Sequence, residues 1–198
     1  MKNVFYHVVT EKPMEIGQVM VFDEYRHNFI YKKIDKYRTT VKRVYEKKAK
    51  IDNNEELKKA LREYALEEVR QKEFPEYPSR LASLHVSRTM KEAEVWYNLY
   101  ISQGKKTYQI VKLEVKGNSF TGDAWNTFDG TDDKEENLRL ARNYWTNGKN
   151  SVGEEPVYET LVDGEIKVIE IVKENPRLKK WLNMKNTLLV IKMVRVIV

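Results

Sequence analysis

Cysteine is absent from the 198 residues, which excludes disulfide staples and thiolate metal sites and suits a reducing, cytoplasmic setting. Histidine is scarce, with three in the whole chain, so a histidine-rich metal centre is not expected. No apolar run approaches the length that crosses a bilayer, and the opening MKNVFYHVVTEKP lacks the pattern of a secretory leader. The familiar catalytic signatures are missing too. There is no GxGxxG after a strand, no GxxxxGK[ST] phosphate loop, no GxSxG, no HExxH and no EF-hand loop. The acid-rich FDGTDDKEEN lacks the spacing of a calcium loop, and its acids suit the N-terminal end of a helix.

What the chain does have is charge and regular patterning. Charged residues make up 33% and hydrophobic residues 41%, as in a folded water-facing domain rather than a disordered chain. The net charge of +6 is unevenly spread. Residues 31–50 hold nine Lys or Arg against two acids, and residues 173–198 hold seven against one, so the remainder is net acidic. The first of these stretches interleaves Tyr31, Tyr37 and Tyr45 with its cations, a composition that follows phosphates in some proteins and is a solvated hairpin or linker in others.

Alternation predicts strands at residues 3–10, at IGQVMVFD, at SRLASLHVS, and at KTYQIVKLEV up to Gly117-Asn118. A helix is expected from an Asn53-Asn54 cap through NEELKKALREYALEEVRQKEF, with Leu57, Leu61, Tyr64, Ala65 and Val69 as its apolar stripe. Thr89 with Glu92 and Asp132 with Glu135 read as capping boxes for two further helices. The stretch 25–50 fits either long strands or an irregular excursion, and GDAWNTFDGTD reads as a loop. PVYETLVDGEIKVIEIV, residues 156–172, reads as a hairpin turning at Asp163-Gly164. Residues 187–198 read as a final strand, which would pair within the sheet or across a homodimer. Strands and helices intermix without a βαβ cadence. The expectation is therefore one α+β domain over 1–198, with a mixed, split sheet packed by helices.

Three strands carry polar groups that packing alone would not select. His7 shares a face with Phe5 and Val9; Ser83, His85 and Ser87 share a face; and Glu159 stands between Val157 and Leu161. Taken singly, each has a plain explanation: a satisfied core histidine, solvent-facing serines, a charge guarding an edge strand.

Their order resembles the ADP-ribosyltransferase superfamily, in its diphtheria-toxin and poly(ADP-ribose) polymerase-like branch. FYHVVT is similar to that branch's first-strand histidine motif, with Val8 where the motif has glycine. SLHVSRTMKEAEVWY is similar to its middle strand and following helix, and VYETLVDGEIKVIEI to its late glutamate strand. From YHVVTEKP to DGEIKVIEIV the chain also resembles a Bacillus protein family of this type. The resemblance implies NAD as substrate and no metal. Glu159 would stabilise the ribosyl cation and His7 would anchor the ribose. Trp96, Tyr97 or His85 would pack the nicotinamide, Ser87 would bond its amide, and Ser83 belongs to the same cofactor-facing set. Arg80 would meet the pyrophosphate or be a plain loop arginine. The ADP-ribose acceptor would be a protein or a nucleic acid, with no membrane involved; simple NAD hydrolysis fits equally. The alternative is a non-catalytic module of the same fold that contacts nucleic acid through the basic stretch or self-associates.

Overall fold

A computed structural model describes residues 3–176 and 178. The strand expected at 187–198 lies outside them. The chain runs β1 Asn3–Val9, β2 Val19–Phe22, α1 Phe29–Ile34, a 3-10 turn Asp35–Tyr37, α2 Arg38–Tyr45, α3 Glu55–Glu73, β3 Leu84–Val86, α4 Met90–Ser102, β4 Gln109–Lys116, β5 Ser119–Asp123, a second 3-10 turn Ala124–Asn126, α5 Lys134–Trp145, β6 Tyr158–Val162 and β7 Gly164–Glu174. This is an α+β domain whose strands split into two antiparallel sheets, β1-β4-β7-β2 and β3-β6-β5.

Local chemistry explains most of the elements. Asn54 caps α3 by accepting from the Leu57 N–H at 3.0 Å, and Glu55 and Glu56 occupy its first turn, where the helix dipole favours acids. Thr89 caps α4 by accepting from the Glu92 N–H at 3.1 Å, while the Glu92 carboxylate accepts from the Arg88 N–H at 3.0 Å. The α5 cap sits one residue later than expected, Asp133 accepting from the Glu136 N–H.

Several expectations are corrected. Residues 25–50 form α1, the first 3-10 turn and α2, not strands or an irregular excursion. Their buried Ile34, Val41 and Val44 pack on Leu57, Leu61 and Leu81, so the signal was a helical apolar face hidden among lysines. SRLASLHVS narrows to a three-residue strand. Residues 119–123 form β5, which takes in Gly122 and Asp123 of the segment read as loop, and Ala124–Asn126 of that segment form a 3-10 turn.

The largest correction concerns Asp163-Gly164, which is not a hairpin turn. β6 pairs with β3 and β5, whereas β7 pairs with β4 and β2. The register Lys116↔Glu165 in one sheet continues as Ser119↔Val162 in the other. β4-β5 and β6-β7 are thus two long strands that bend together from one sheet into the next, with Gly117-Asn118 opposite Asp163-Gly164 at the corner. Gly164 has φ 75°, and a Cβ there would lie 2.9 Å from the Gly117 Cα. Glycine is used at this corner because the two backbones approach too closely for a side chain.

The core follows the corner. Phe5, Val9, Val86, Val111, Leu113, Val162 and Ile166 fill the space between the sheets. Leu161 and Phe120, on the other face of the smaller sheet, meet Leu66, Val69, Ala141, Tyr144 and Trp145 of α3 and α5. The sheets are joined edge to edge where Tyr6 of β1 and Ser87 after β3 exchange backbone hydrogen bonds of 2.8 and 2.7 Å. That seam positions the site. No helix among the described residues is long and apolar enough to cross a membrane.

Candidate functional site

Glu159 lies on the helix-facing side of β6, beside Leu161, and is 9% exposed. Its cross-strand neighbour is Gly122. With no side chain at Gly122, the Tyr144 ring of α5 can approach the strand, and its hydroxyl donates to Glu159 Oε1 at 2.8 Å. Arg80 Nη1 donates to the same oxygen. Its Nε donates to Glu63 Oε2 of α3 at 3.0 Å, and Nη1 also contacts the Tyr144 hydroxyl at 2.6 Å. Arg62 closes the network from the side by donating to Glu63 Oε1 at 3.1 Å. The Arg80 guanidinium and two carboxylates are thereby buried in mutual contact, with the half-buried Arg62 at their side, which is how buried charge is tolerated.

The loop carrying Arg80 is held rigidly. The Asn28 side chain donates to the carbonyls of Arg80 and Ser83 at 2.7 and 2.9 Å. Ser79 donates to Glu67, and Arg70 reaches the carbonyls of Pro75 and Tyr77.

From this network the site extends toward the seam. His85 shares the Glu159 face, and its Nδ1 stands 3.3 Å from Glu159 Oε2. Across the seam, His7 Nδ1 lies 2.8 Å from the His85 carbonyl oxygen. A carbonyl only accepts, so His7 Nδ1 carries the proton and Nε2 of the neutral ring is left as an acceptor. Burial, partly offset by that hydrogen bond, pushes the His7 imidazole down to about 4, so it is neutral at pH 7. Burial alone would raise the Glu159 carboxyl. The Arg80 charge, with His85 and the Tyr144 hydroxyl, outweighs it and holds Glu159 well below the usual carboxylate range.

The structure therefore brings Glu159, His85 and Arg80 together, and His7 is bonded to the backbone carbonyl of His85 rather than to Glu159. Arg80 is not a loop arginine turned to solvent: it is 5% exposed, and its bonds are directed inward rather than toward a pyrophosphate. Ser83 is buried beside it with an unpartnered hydroxyl, and the His85 Nε2 is likewise buried and unpartnered. Ser87 is buried at the seam, where its backbone makes the bridge to Tyr6. On α4, the Trp96 indole N–H donates to the Tyr158 carbonyl at 3.0 Å, next to Glu159. Tyr97 points away from this group into a core of Val8, Ala93 and Ile110. Among the described residues no cluster of three or more His, Asp or Glu could hold a metal ion.

Sequence reading missed Glu63, Tyr144 and Tyr100. Glu63 adjoins the apolar stripe of α3, and an acid at a buried helical position was the one signal available. Tyr144 is legible as core from its spacing with Leu138 and Ala141, but its hydroxyl partners are not. Tyr100 is known by its environment: burial, then the Glu159 charge, raise its phenol.

A family model described as Protein of unknown function (DUF2441) matches residues 5–174. A comparison with curated proteins finds no match.

Proposed function

The chain belongs to the DUF2441 family of proteins of unknown function, so its chemistry has to be read from the site, and we propose that this site cleaves NAD and transfers ADP-ribose to an acceptor. The single observation carrying the reading is a buried Glu159 carboxylate held by Arg80 and the His85 ring beside the seam, where His7 of β1 bonds the His85 carbonyl. What supports it further is the state of each group. Breaking the bond between ribose C1′ and the nicotinamide nitrogen sends the bonding pair to nicotinamide and leaves positive charge on the ribose, as in glycoside cleavage. A carboxylate that is already ionised and held by Arg80, Tyr144 and His85 opposes that charge without reorganising. Glu159 is accordingly an electrostatic stabiliser in this scheme rather than a base, because its oxygens already accept from protein donors. His7 Nε2 accepts from a ribose hydroxyl, with its ring aimed by the His85 carbonyl. Arg80 is a positioning residue for Glu159. The acceptor nucleophile then attacks C1′ and releases its proton to solvent; water in its place gives hydrolysis.

The experiment is nicotinamide release from NAD by the full-length protein, alone and with acceptors, compared with His7→Ala and Glu159→Gln. Removing a stabilising group of this kind lowers rates about 100- to 1000-fold. Thermal melts of each variant separate lost chemistry from lost fold. Equal release by wild type and His7→Ala defeats the proposal. If the wild type releases nothing and NAD does not raise its melting temperature, the same fold acts as a non-catalytic module. The observation favouring that second reading is that both Glu159 oxygens already have protein partners.

A further inference from the structure

The basic helices α1 and α2 are not used by the site just described. Of the nine cations in 31–50, Arg38, Lys42, Lys47 and Lys48 have carboxylate partners. Lys32, Lys33, Lys36, Arg43 and Lys50 make no ion pair among the described residues and are exposed. Aromatic rings lie among them. Tyr25 is 82% and Phe29 53% exposed, and the Lys33 ammonium sits 4.5 Å over the Phe29 ring. His27 and Tyr31 are stacked with centroids 3.8 Å apart. Those two rings form one wall of a cleft of about 660 Å³ between the basic helices and α3, also lined by Arg38, Tyr45 and Tyr64. The Tyr64 hydroxyl is buried beside Arg38 without a hydrogen bond of good geometry. The cleft's carboxylates do not repel an anion: Glu46 is met by Lys48, Glu67 by Arg70, and Glu68 by Lys72 and Lys134.

We propose that segment 25–50 and this cleft bind single-stranded nucleic acid, the unpaired lysines following the phosphates and the aromatic cleft receiving an unstacked base. A positive surface with aromatic platforms is the chemistry that holds single strands, because every base has a π-face. The cleft has the size of a small-ligand site, and a duplex keeps its bases stacked away from it. An anionic bilayer fits less well. Apart from the exposed Phe29 ring, the apolar side chains Ile34, Val41 and Val44 of these helices are committed to the core against α3, leaving no continuous apolar face to enter a membrane. The Asn28 bonds to the Arg80 and Ser83 carbonyls hold the surface beside the loop that carries Arg80. The inference stands on the basic surface and does not depend on NAD chemistry.

The test is fluorescence anisotropy of a labelled mixed-sequence 12-nucleotide single strand, as DNA and as RNA, against its duplex, without NAD. Contacts from Lys32, Lys33 and Lys36 to about three phosphates give a log–log salt slope near −2, or roughly 20-fold weaker binding at 200 mM than at 50 mM salt. Replacing all three lysines by Glu should abolish binding. Tyr31→Ala, and Phe29→Ala as the exposed alternative, should weaken it at least about 5-fold with the salt slope unchanged. Duplex binding as tight as single-strand binding, both aromatic variants binding like wild type, or an unaffected lysine variant overturns the proposal. So does lysine-dependent binding to phosphatidylserine vesicles without oligonucleotide binding. Nicotinamide release by the lysine variant in the absence of acceptor should equal that of the wild type, so the two readings fail independently.

Discussion

Replacing Arg80 by Met keeps an unbranched apolar stem and removes the charge that two buried carboxylates share. Glu63 is 1% and Glu159 9% exposed, so neither is rescued by water. Removing one partner from a buried ion pair costs about 3–5 kcal/mol. Arg62 still contacts Glu63, and Tyr144 and His85 still contact Glu159, which places the loss at the lower end of that range for each carboxylate. For a chain of this size 1 kcal/mol corresponds to about 2–4 °C, so a loss of about 3 kcal/mol at each of the two carboxylates should melt the variant about 12–24 °C below wild type at pH 7. The pH dependence identifies the cause. In the wild type both carboxyls are held below their ordinary value despite burial. Their contribution is fully present above the unfolded carboxylate range and is lost as pH falls below it. Without Arg80, burial dominates and the same carboxyls take up protons more readily folded than unfolded, so lowering pH favours the folded variant. The stability gap should therefore narrow from pH 7 to pH 4, as followed by urea unfolding with the fluorescence of the buried Trp145. A loss below about 1 kcal/mol, or a gap that stays constant or widens on acidification, would refute the account of Arg80 as the shared counter-ion.

Two further outcomes follow from the geometry. The His7 imidazole should titrate near 4 by NMR; because this lies below the unfolded value of about 6.5, His7 costs no stability above pH 6.5 and about 3 kcal/mol once pH falls below 4, a dependence that His7→Asn should remove. Gly164→Ala should destabilise by more than about 1 kcal/mol in urea unfolding, because alanine is strained at φ 75° and its Cβ meets the Lys116 carbonyl and Gly117; an unchanged midpoint would show that the corner can open.

Helices α3, α4 and α5 were legible because caps and apolar stripes are local: Asn54, Thr89 and the acids before Lys134 act on residues three or four positions away. The α+β class followed from those elements and the alternating strands. Helices α1 and α2 were hidden because their apolar residues are few among lysines, and their helicity depends on packing against α3. β5 was missed because SFTGD is short and glycine-bearing and gains strand character from pairing with β6. Asp163-Gly164 carried a true glycine signal with the wrong meaning. A left-handed glycine is needed both in a tight turn and where two strands bend past each other, and composition does not separate the two.

The same division runs through the site. Alternation alone put Glu159 on a face with Leu161 and His7 on a face with Phe5 and Val9, and marked both as costly for packing. It could not say what lies opposite, because period two reports a side chain's direction and not the element it meets. Only the folded chain sets Arg80, Tyr144, Glu63 and His85 around Glu159, from positions 15 to 96 residues away in sequence, and only it bends β6 and β7 through one glycine corner into two sheets. Helix caps and strand faces are decided by near neighbours along the chain. The ionisation of a buried carboxylate is decided by burial and distance, and both exist only once the chain has closed on itself.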